Sequence, residues 1–366
     1  MRIAFFDELG IGGARKAVNE FASRLRIGHE VDLFYVDEHY RKEEEKYFNN
    51  AYYFEFKPKI WKSGNWKAKI YKDTIELFRL YNLHKSISKR INSIKYDLIV
   101  VNPSKHTQAP FILRFVKSKK IYYCQESLRL VYEPRLKISK NVGFIRYYYE
   151  QANRFVRKRI DLLNIKRADF ILTNSENTKN EIMGNYKLPS IVSYLGVDID
   201  FFKPGSEKNI DVLFVGSDDF MDGFDLIKKA LPLVKHKIRF ETTARLEREY
   251  VSDLKLRDLY ARAKIVVCSA HNEPFGMIPL ESMASGALVI AVNEGGYRES
   301  IINNKNGFLI ERNEVELANK IDWVLSNSKD ADIMRKNARQ TVVKEWSWEK
   351  RTREFEKILF KVSNDK

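Results

Sequence analysis

Short apolar runs alternate with amphipathic segments along most of the chain. The runs predict buried strands because they are rich in Val, Ile and aromatic residues. They are RIAFF, EVDLFYV, AYYFEF, DLIVVN, KIYYCQ and ADFILTN in the first half, and IDVLFVG, KIRFETTA, KIVVCSA, ALVIAV and GFLI in the second. Helical spacing predicts a first helix that ends at Gly28, and others near 70–94, 105–117, 223–231, 253–262, 276–285, 297–303 and 313–326. Strands that alternate with helices predict parallel sheets covered on both faces.

The chain is long enough, at 366 residues, for two domains of ordinary size. Turn formers interrupt the pattern in YLGVDIDFFKPGSEKN, so we expect the domains to meet near residues 195 and 196. Charge divides at the same place, with 37 Lys/Arg against 21 Asp/Glu up to residue 195 and 28 against 28 beyond it. The net charge of +16 therefore belongs to the first half, and the two halves are expected to meet different partners.

Cysteine content and hydropathy indicate a cytoplasmic protein. Only Cys124 and Cys268 are present, which excludes a disulfide framework. The first apolar run meets Asp7 and Glu8 at once, so we expect no signal peptide. No apolar stretch approaches the ~20 residues that span a bilayer. The basic residues are spread through a strand–helix pattern without a nucleic-acid-binding module, so nucleic acid is not an expected partner.

The stretch HNEPFGMIPLESMASGALVIA, residues 271–291, carries the candidate chemistry. A turn holding Glu273 follows a predicted strand, and Glu281 lies inside the helix that comes next. In open α/β sheets ligands bind beyond the carboxyl ends of strands, and a helix start favours phosphate. Two carboxylates beside an anion site suit a diphosphate with hydroxyls on both sides, as in a nucleotide sugar. The alternative is a helix cap and a solvated helix residue.

This stretch resembles the E-x7-E signature of the family 4 (group 1) retaining glycosyltransferases. GIGGARKAVNEFASRLRIGHEV, RADFILTNSENTKNEI, YLGVDIDFFKP and WSWEKRTREFEKILF are similar to other segments of that family. The resemblance implies the GT-B architecture, in which two Rossmann-like domains face each other across a cleft. It implies an acceptor-side domain at 1–195, a donor domain at 196–345, and a final helix within 346–366 that crosses back to the first domain.

The resemblance also implies roles for individual residues. Glu273 would contact hydroxyls of the donor sugar as the catalytic carboxylate, and Glu281 would contact the nucleotide ribose. The first domain would approach the donor through its glycine loop. The donor-binding residues implied are Gly12, Gly13, Gly216, Ser217, Phe275, Gly276, Met277, Ile278 and Glu281.

Two departures from the family concern the phosphate site. Ser217 and Asp222 stand where the family has Arg and Lys, so other groups must stabilise the leaving diphosphate. Arg15 and Arg245 are candidates from their chain positions. The aspartates of SDDFMD could hold a divalent cation, but a solvated loop is the expected state, and no metal site is predicted. Gln125 stands where many relatives have histidine; it can bond a sugar hydroxyl but carries no charge.

The function implied is retaining transfer of a hexose from a UDP- or GDP-sugar to an acceptor hydroxyl, with no tightly bound cofactor. We expect front-face displacement, because no pair of carboxylates matches the glycosidase scheme. The acceptor would be a sugar, a glycan or a lipid-linked molecule. Because of Ser217 and Asp222, the alternative is a nucleotide-sugar-binding protein or an inactive subunit on the same fold.

The segment from Arg135 to Arg167 holds ten Lys/Arg, two acidic residues and interleaved aromatics. One interpretation is a surface helix whose aromatic residues pack on the first domain. The other is a face that meets an anionic bilayer, with tyrosines at headgroup level. The second predicts a peripheral enzyme on the inner face of the membrane.

Overall fold

The computed structural model describes residues 1–36, 42–59, 61, 66–138, 143–244 and 251–365. These residues form two compact α/β units. The first unit contains Met1–Asn174, Thr178–Tyr194 and Thr352–Lys366, and the second contains Ser175–Asn177 and Leu195–Arg351. The assignment of the acceptor to the first unit and of the donor to the second unit stays a prediction.

The first unit is built on a seven-stranded sheet in which every strand pair is parallel. The strand order is β3-β2-β1-β4-β5-β6-β7. The strands are β1 Arg2–Glu8, β2 Glu30–Tyr35, β3 Asn50–Tyr53, β4 Leu98–Ser104, β5 Lys119–Cys124, β6 Phe170–Thr173 and β7 Ile191–Val192. The helices are α1 Gly13–Leu25, α2 Lys42–Glu45, α3 Trp66–Tyr71, α4 Leu77–Asn92, α5 Arg129–Tyr132, α6 Phe144–Ile165 and α7 Glu176–Tyr186. Because β1 and β4 lie in the centre of the sheet, they are buried on both faces, which explains their continuous apolar sequence.

The second unit has a five-stranded parallel sheet in the order β12-β11-β10-β8-β9. The strands are β8 Ile210–Phe214, β9 Phe240–Thr242, β10 Ala263–Cys268, β11 Leu288–Val292 and β12 Phe308–Ile310. The helices are α8 Phe224–Ala230, α9 Asp253–Arg262, α10 Met277–Ala284, α11 Tyr297–Ser300, α12 Glu314–Ser326, α13 Ser328–Glu345 and α14 Trp348–Asn364.

The C-terminal helix α14 supplies its later residues to the first unit, from Thr352 onward. Phe355 packs against Phe21 of α1, with ring centroids 4.4 Å apart, and stacks on Tyr123 of β5. Glu356 Oε1 lies 2.7 Å from His29 Nε2. The expected return of the final helix to the first domain is therefore confirmed.

One predicted helix is wrong. The segment 105–117 forms only a 3₁₀ turn at Phe111–Arg114. Ser104 and Gln108 exchange backbone hydrogen bonds, and Pro110 directly precedes the turn in an extended conformation. Since proline lacks an amide hydrogen and restricts the residue before it, an α-helix cannot run through this point. The predicted helix at 70–94 is present but begins as α3 and passes through a π-helical turn, Lys72–Glu76, into α4.

Within the described part of the chain, no helix is long and apolar enough to cross a membrane.

Asp161 is a buried carboxyl of α6 whose protonation should be linked to the stability of the first unit. Its Oδ1 accepts from the Ala109 amide at 2.9 Å, and its Oδ2 accepts from the Tyr186 hydroxyl at 2.6 Å. Burial outweighs both bonds and raises the pKa of Asp161 to about 6. The folded chain therefore holds this proton more tightly than the unfolded chain does. The stabilising contribution is complete below about pH 4 and is lost as the pH rises through 6.

We expect Asp161→Asn to remove that pH dependence, because an amide cannot ionise. Relative to the variant, the wild type should lose about 3 kcal/mol of unfolding free energy between about pH 4 and 7. Denaturant titrations of both proteins across this range measure the difference. A difference that does not change with pH would contradict the prediction.

Candidate functional site

A pocket opens at the carboxyl ends of β8 and β10 in the second unit. These strands are neighbours, and the chain leaves them in opposite directions, β8 toward β9 and β10 toward β11. Ligands of open α/β sheets bind at such a switch point. The lining residues are Phe214, Val215, Gly216, Asp222, Cys268, Ser269, Ala270, Glu273, Gly276, Met277, Ile278 and Tyr297.

The turn that carries Glu273 is seated on a pair of glycines. The Gly296 amide donates to the Glu273 carbonyl at 2.8 Å. A Cβ atom at Gly295 would lie 2.3 Å from that carbonyl oxygen, and one at Gly296 would lie 2.5 Å from the Phe275 Cα. Gly295 also has a φ of +57°, which disfavours other residues. The backbone of the Glu273 turn can approach this loop only because both positions lack a side chain.

An arginine holds the same turn from the other side. The Arg312 guanidinium donates through Nε and Nη2 to the two carboxylate oxygens of Glu294, at 2.7 and 2.9 Å. Its Nη1 donates to the Ser269 carbonyl at 2.8 Å. Such a forked, charge-assisted contact fixes the backbone just after β10. Arg312 therefore positions the turn and does not line the pocket.

Helix α10 begins at the pocket. Gly276 precedes it with a φ of +95°, and a Cβ atom there would lie 2.8 Å from the Tyr297 ring. Met277 and Ile278 of the first turn line the pocket, and the first amides of a helix have no partner within the helix. The local geometry is that of an anion-binding helix start.

Glu281 lies in the second turn of α10, and its side chain is buried. Burial and then the charge of Glu281 raise the pKa of Tyr260 in α9 well above its ordinary value, so the two side chains are close neighbours. Glu281 is not among the lining residues, whereas Glu273 is. Burial and then the charge of Glu273 likewise raise the pKa values of Cys268 and Tyr297. The charge of Glu273 thus acts on two residues of the pocket wall, Cys268 and Tyr297.

The loop after β8 is organised by Asp222. Its Oδ2 accepts from both the amide and the hydroxyl of Ser217, at 2.7 and 2.5 Å. Gly216 is held in turn by Thr243, whose hydroxyl accepts from the Gly216 amide at 2.9 Å. Among the residues that the structure describes, the lining contains two carboxylates, Asp222 and Glu273, and no cation. The described residues include no cluster of three or more His, Cys, Asp or Glu that could hold a metal.

Four further predicted site residues, Gly12, Gly13, Arg15 and Gln125, lie in the first unit. Gly12 directly precedes α1, which begins at Gly13. The Gln125 side chain donates to the Ala14 carbonyl at 3.4 Å, which places it at the same helix start. Arg15 is buried, and its Nε and Nη2 bond Glu44 Oε2 at 2.8 and 2.6 Å. The Arg15 charge is therefore already paired, while Arg245 lies outside the described residues.

Sequence reasoning missed the groups that hold the site in place. They are Gly295, Gly296, Tyr297, Glu294 and Arg312. The Gly-Gly pair after β11 was a readable signal for a close backbone approach. No local sequence pattern indicates the role of Arg312, because only folding brings this residue to Ser269.

Comparison with known proteins gives matches to glycosyltransferases. Residues 249–341 match the family model described as "Glycosyl transferases group 1". Two uncharacterised glycosyltransferases of Methanocaldococcus jannaschii are similar to this chain. One is 29% identical over 161 residues, 38% of this chain and 41% of the relative. The other is 26% identical over 215 residues, 54% and 61%. The chain thus matches about two to three fifths of the length of these relatives.

Among solved structures, HepE of Anabaena in complex with UDP and glucose has a TM-score of 0.71 and 18% identity. The superposition covers 99% of this chain and 100% of HepE. The resemblance to the group 1 glycosyltransferases and the GT-B fold, both expected from the sequence, are therefore confirmed.

Proposed function

We propose that the chain is a retaining glycosyltransferase that moves a hexose from a UDP- or GDP-sugar to an acceptor hydroxyl. The observation that carries this proposal is the pocket at the switch point of the second unit. There Glu273 and the start of α10 come together within the stretch that matches the family model. Binding of UDP by HepE supports a uridine nucleotide as the first donor to test.

In this proposal the amides at the start of α10 bind the donor diphosphate, and Glu273 accepts hydrogen bonds from hydroxyls of the sugar. The acceptor oxygen bonds the anomeric carbon on the face from which the diphosphate leaves. The acceptor proton passes to an oxygen of that diphosphate, and the configuration is retained. Fixed donors around the leaving group supply most of the rate, because they need no reorganisation during the reaction.

A thermal-shift panel of UDP-, GDP- and ADP-sugars tests the donor. A ligand that binds only the folded chain raises its melting temperature. The anomeric configuration of the product, read by proton NMR after transfer, tests retention. Inversion at the anomeric carbon would refute the retaining mechanism, and no shift with any nucleotide sugar would refute the donor site.

The second candidate is a nucleotide-sugar-binding protein or inactive subunit. It is motivated by Ser217 and Asp222, since the lining contributed by residues 143–244 and 251–365 has no cation to stabilise a leaving diphosphate. A nucleotide sugar that raises the melting temperature but is neither hydrolysed nor transferred to any of a broad set of acceptors would favour it.

We predict that catalysis needs no tightly bound metal, because the anion site is built from backbone amides. Activity should be unchanged after treatment with EDTA and removal of the chelator. Activity that is lost on chelation and restored by magnesium would overturn this, and would point to Asp222 and its neighbouring aspartates as ligands.

We further propose a cytoplasmic enzyme that docks on an anionic membrane through α6 and takes a lipid-linked acceptor. The outer side of α6 exposes large apolar residues, with Ile145 86% and Tyr148 57% exposed. Val156 and Leu163 continue this stripe at helical spacing. Exposed cations flank it on the same helix, Lys158 and Arg159 among them. Apolar residues beside cations are the composition of an interfacial helix.

Arg157 does not belong to that face, although it stands in the same basic run. Its guanidinium bonds Asp73 Oδ1 at 2.5 Å and the His106 carbonyl at 2.8 Å. The hydroxyl of Tyr149 and the amide of Asn153 also donate to Asp73, each at 3.0 Å. These contacts tie α6 to the π-helical turn, so the first interpretation of this segment, packing on the domain, holds for the inner side of α6.

Replacing Ile145 and Tyr148 together by serine should weaken binding to anionic vesicles about tenfold or more. Each side chain is exposed in the protein and would be buried at the interface, which is worth up to about 1.5–3 kcal/mol. Sedimentation with vesicles of phosphatidylcholine and phosphatidylglycerol measures the change. Ile333→Ser, at an exposed position of α13 in the second unit, is the control and should bind normally. If the double variant binds the vesicles as well as Ile333→Ser does, the membrane-docking proposal fails and a soluble acceptor is favoured.

A further inference from the structure

A second pocket lies in the first unit beside α6. Tyr147, Gln151, Arg154 and Lys158 form one wall, because residues three and four apart share a helix face. The opposite wall comes from α5 and the segment that follows it. The complete lining is Val131, Lys137, Ile138, Tyr147, Gln151, Arg154, Phe155 and Lys158.

The charged residues of this lining are all cations. In the described part of the chain, Lys137, Arg154 and Lys158 have no carboxylate beside them in the lining. The acidic residues nearest in sequence are already paired: Glu150, just before Gln151, bonds Lys69 Nζ at 2.6 Å. The Oε1 of Glu133 accepts from the amide and the guanidinium of Arg135, at 3.2 and 3.4 Å. The Lys158 ammonium lies over the Tyr132 ring, 5.3 Å from its centroid. Three like charges around one cavity repel each other unless an anion enters.

Arg154 brings an unused hydrogen-bond donor to the pocket. Its Nε is buried, and within the described part of the chain it has no hydrogen-bond partner. A buried donor without an acceptor carries a desolvation penalty. A phosphate oxygen would remove it, and the planar guanidinium fits phosphate with two parallel hydrogen bonds.

The pocket also borders an apolar surface. Val131 and Ile138 belong to its lining, and Phe155 stands where the lining meets the exposed stripe of α6. At about 100° per residue, Phe155 lies between the Arg154 face and the Val156 face of the helix. A molecule with its anion in the pocket would therefore place an attached hydrocarbon chain along the stripe.

We propose that this pocket binds the phosphate group of a membrane amphiphile, such as a lipid-linked acceptor. The inference rests on the proposed membrane docking and deepens it, because it distinguishes a built phosphate site from a general positive surface. It assigns Arg154 and Lys158 as phosphate ligands, with Gln151 as a neutral donor beside them.

The experiment compares Arg154→Gln and Lys158→Gln with Arg146→Gln, which removes the same charge from an exposed position of α6 outside the lining. Binding is measured by sedimentation with vesicles of phosphatidylcholine containing phosphatidic acid. A general positive surface loses about fivefold for each cation removed. A bound phosphate that loses a charge-assisted bond loses about tenfold or more. We expect losses of at least tenfold for Arg154→Gln and Lys158→Gln, and no more than fivefold for Arg146→Gln.

Equal losses in all three variants would overturn the inference and leave a general positive surface. Soluble dihexanoyl phosphatidic acid and inorganic phosphate separate the sources of the anion. The short-chain lipid should protect the chain from heat unfolding much better than phosphate does, and equal protection by both would also overturn the inference. Lys158 is exposed, so its variant remains informative if Arg154→Gln unfolds.

Failure here can be told apart from failure of the proposed function. The thermal shift caused by nucleotide sugars depends on the second unit and should be the same in all three variants. If that shift is present while the vesicle results are equal, the phosphate pocket is wrong and the donor site stands. If that shift is absent from the wild type, the glycosyltransferase proposal is wrong.

Discussion

Glu273→Gln is expected to lower the turnover number at least about tenfold with little change in nucleotide affinity. The side chain lines the pocket and keeps its size in the variant, but it loses the charge that strengthens hydrogen bonds from sugar hydroxyls. A hydrogen bond to a charged group is worth about 1.5–3 kcal/mol. Its backbone carbonyl, which accepts from Gly296, is unchanged, so the turn should stay in place. Steady-state kinetics with the donor from the thermal-shift panel, together with a melting curve, measures both effects.

The variant to compare with Glu273→Gln is Glu281→Gln, which should weaken nucleotide binding more than it lowers the turnover number. Glu207→Gln is the control, because Glu207 is an exposed glutamate of the second unit away from the pocket. The comparison depends on the ratio of two measured constants, so a general loss of stability cannot imitate it. If Glu273→Gln keeps wild-type turnover with the true donor, the assignment of Glu273 is wrong.

The fold was predictable because its strands appear in the sequence as short apolar runs between amphipathic segments. Runs such as DLIVVN and KIVVCSA have unbroken apolar centres, since β4 and β10 are buried between neighbouring strands and under helices on both faces. The helix predicted at 105–117 was wrong because the apolar residues of this segment pack into the core of the first unit without forming an α-helix. Periodicity records which residues are buried, but it does not record that Pro110 precedes the turn and that Ser104 and Gln108 pair across it.

The site was predictable where one short stretch supplies it. Glu273, Gly276, Met277 and Ile278 were named from the sequence, and all four line the same pocket. The supports of the turn come from elsewhere in the chain and become visible only when β11 lies beside β10 and β12 lies beside β11.

Asp222 shows a different limit of sequence reasoning. Its presence in place of a cation was readable from the motif. Its use as an acceptor for the Ser217 amide and hydroxyl was not, because that depends on the path of the loop. The structure thus gives Asp222 a role in shaping the loop whether or not it meets a ligand.

The first unit buries a carboxylate–imidazole pair at the carboxyl end of β1. His84 Nε2 of α4 lies 3.0 Å from Glu8 Oε1 at the end of β1, and both side chains are almost fully buried. Burial by itself would raise the pKa of Glu8, but the charge and hydrogen bond of His84, and then the charge of His106, hold it below its ordinary value. The Phe6 and Phe111 rings pack edge-on against the imidazole. Glu8 is therefore an ionised carboxylate in an apolar setting that depends on His84.

His84→Phe is expected to destabilise the chain by about 3–5 kcal/mol, because it leaves the Glu8 carboxylate buried without its partner. Glu8→Met should cost less, since the imidazole left behind can remain neutral. The double variant should recover most of the loss, because two apolar side chains of similar size replace the pair and no buried charge remains. Urea titrations of the four proteins at neutral pH give the coupling free energy between the two positions. A double variant that loses the sum of the two single losses would show that the pair does not act as a unit.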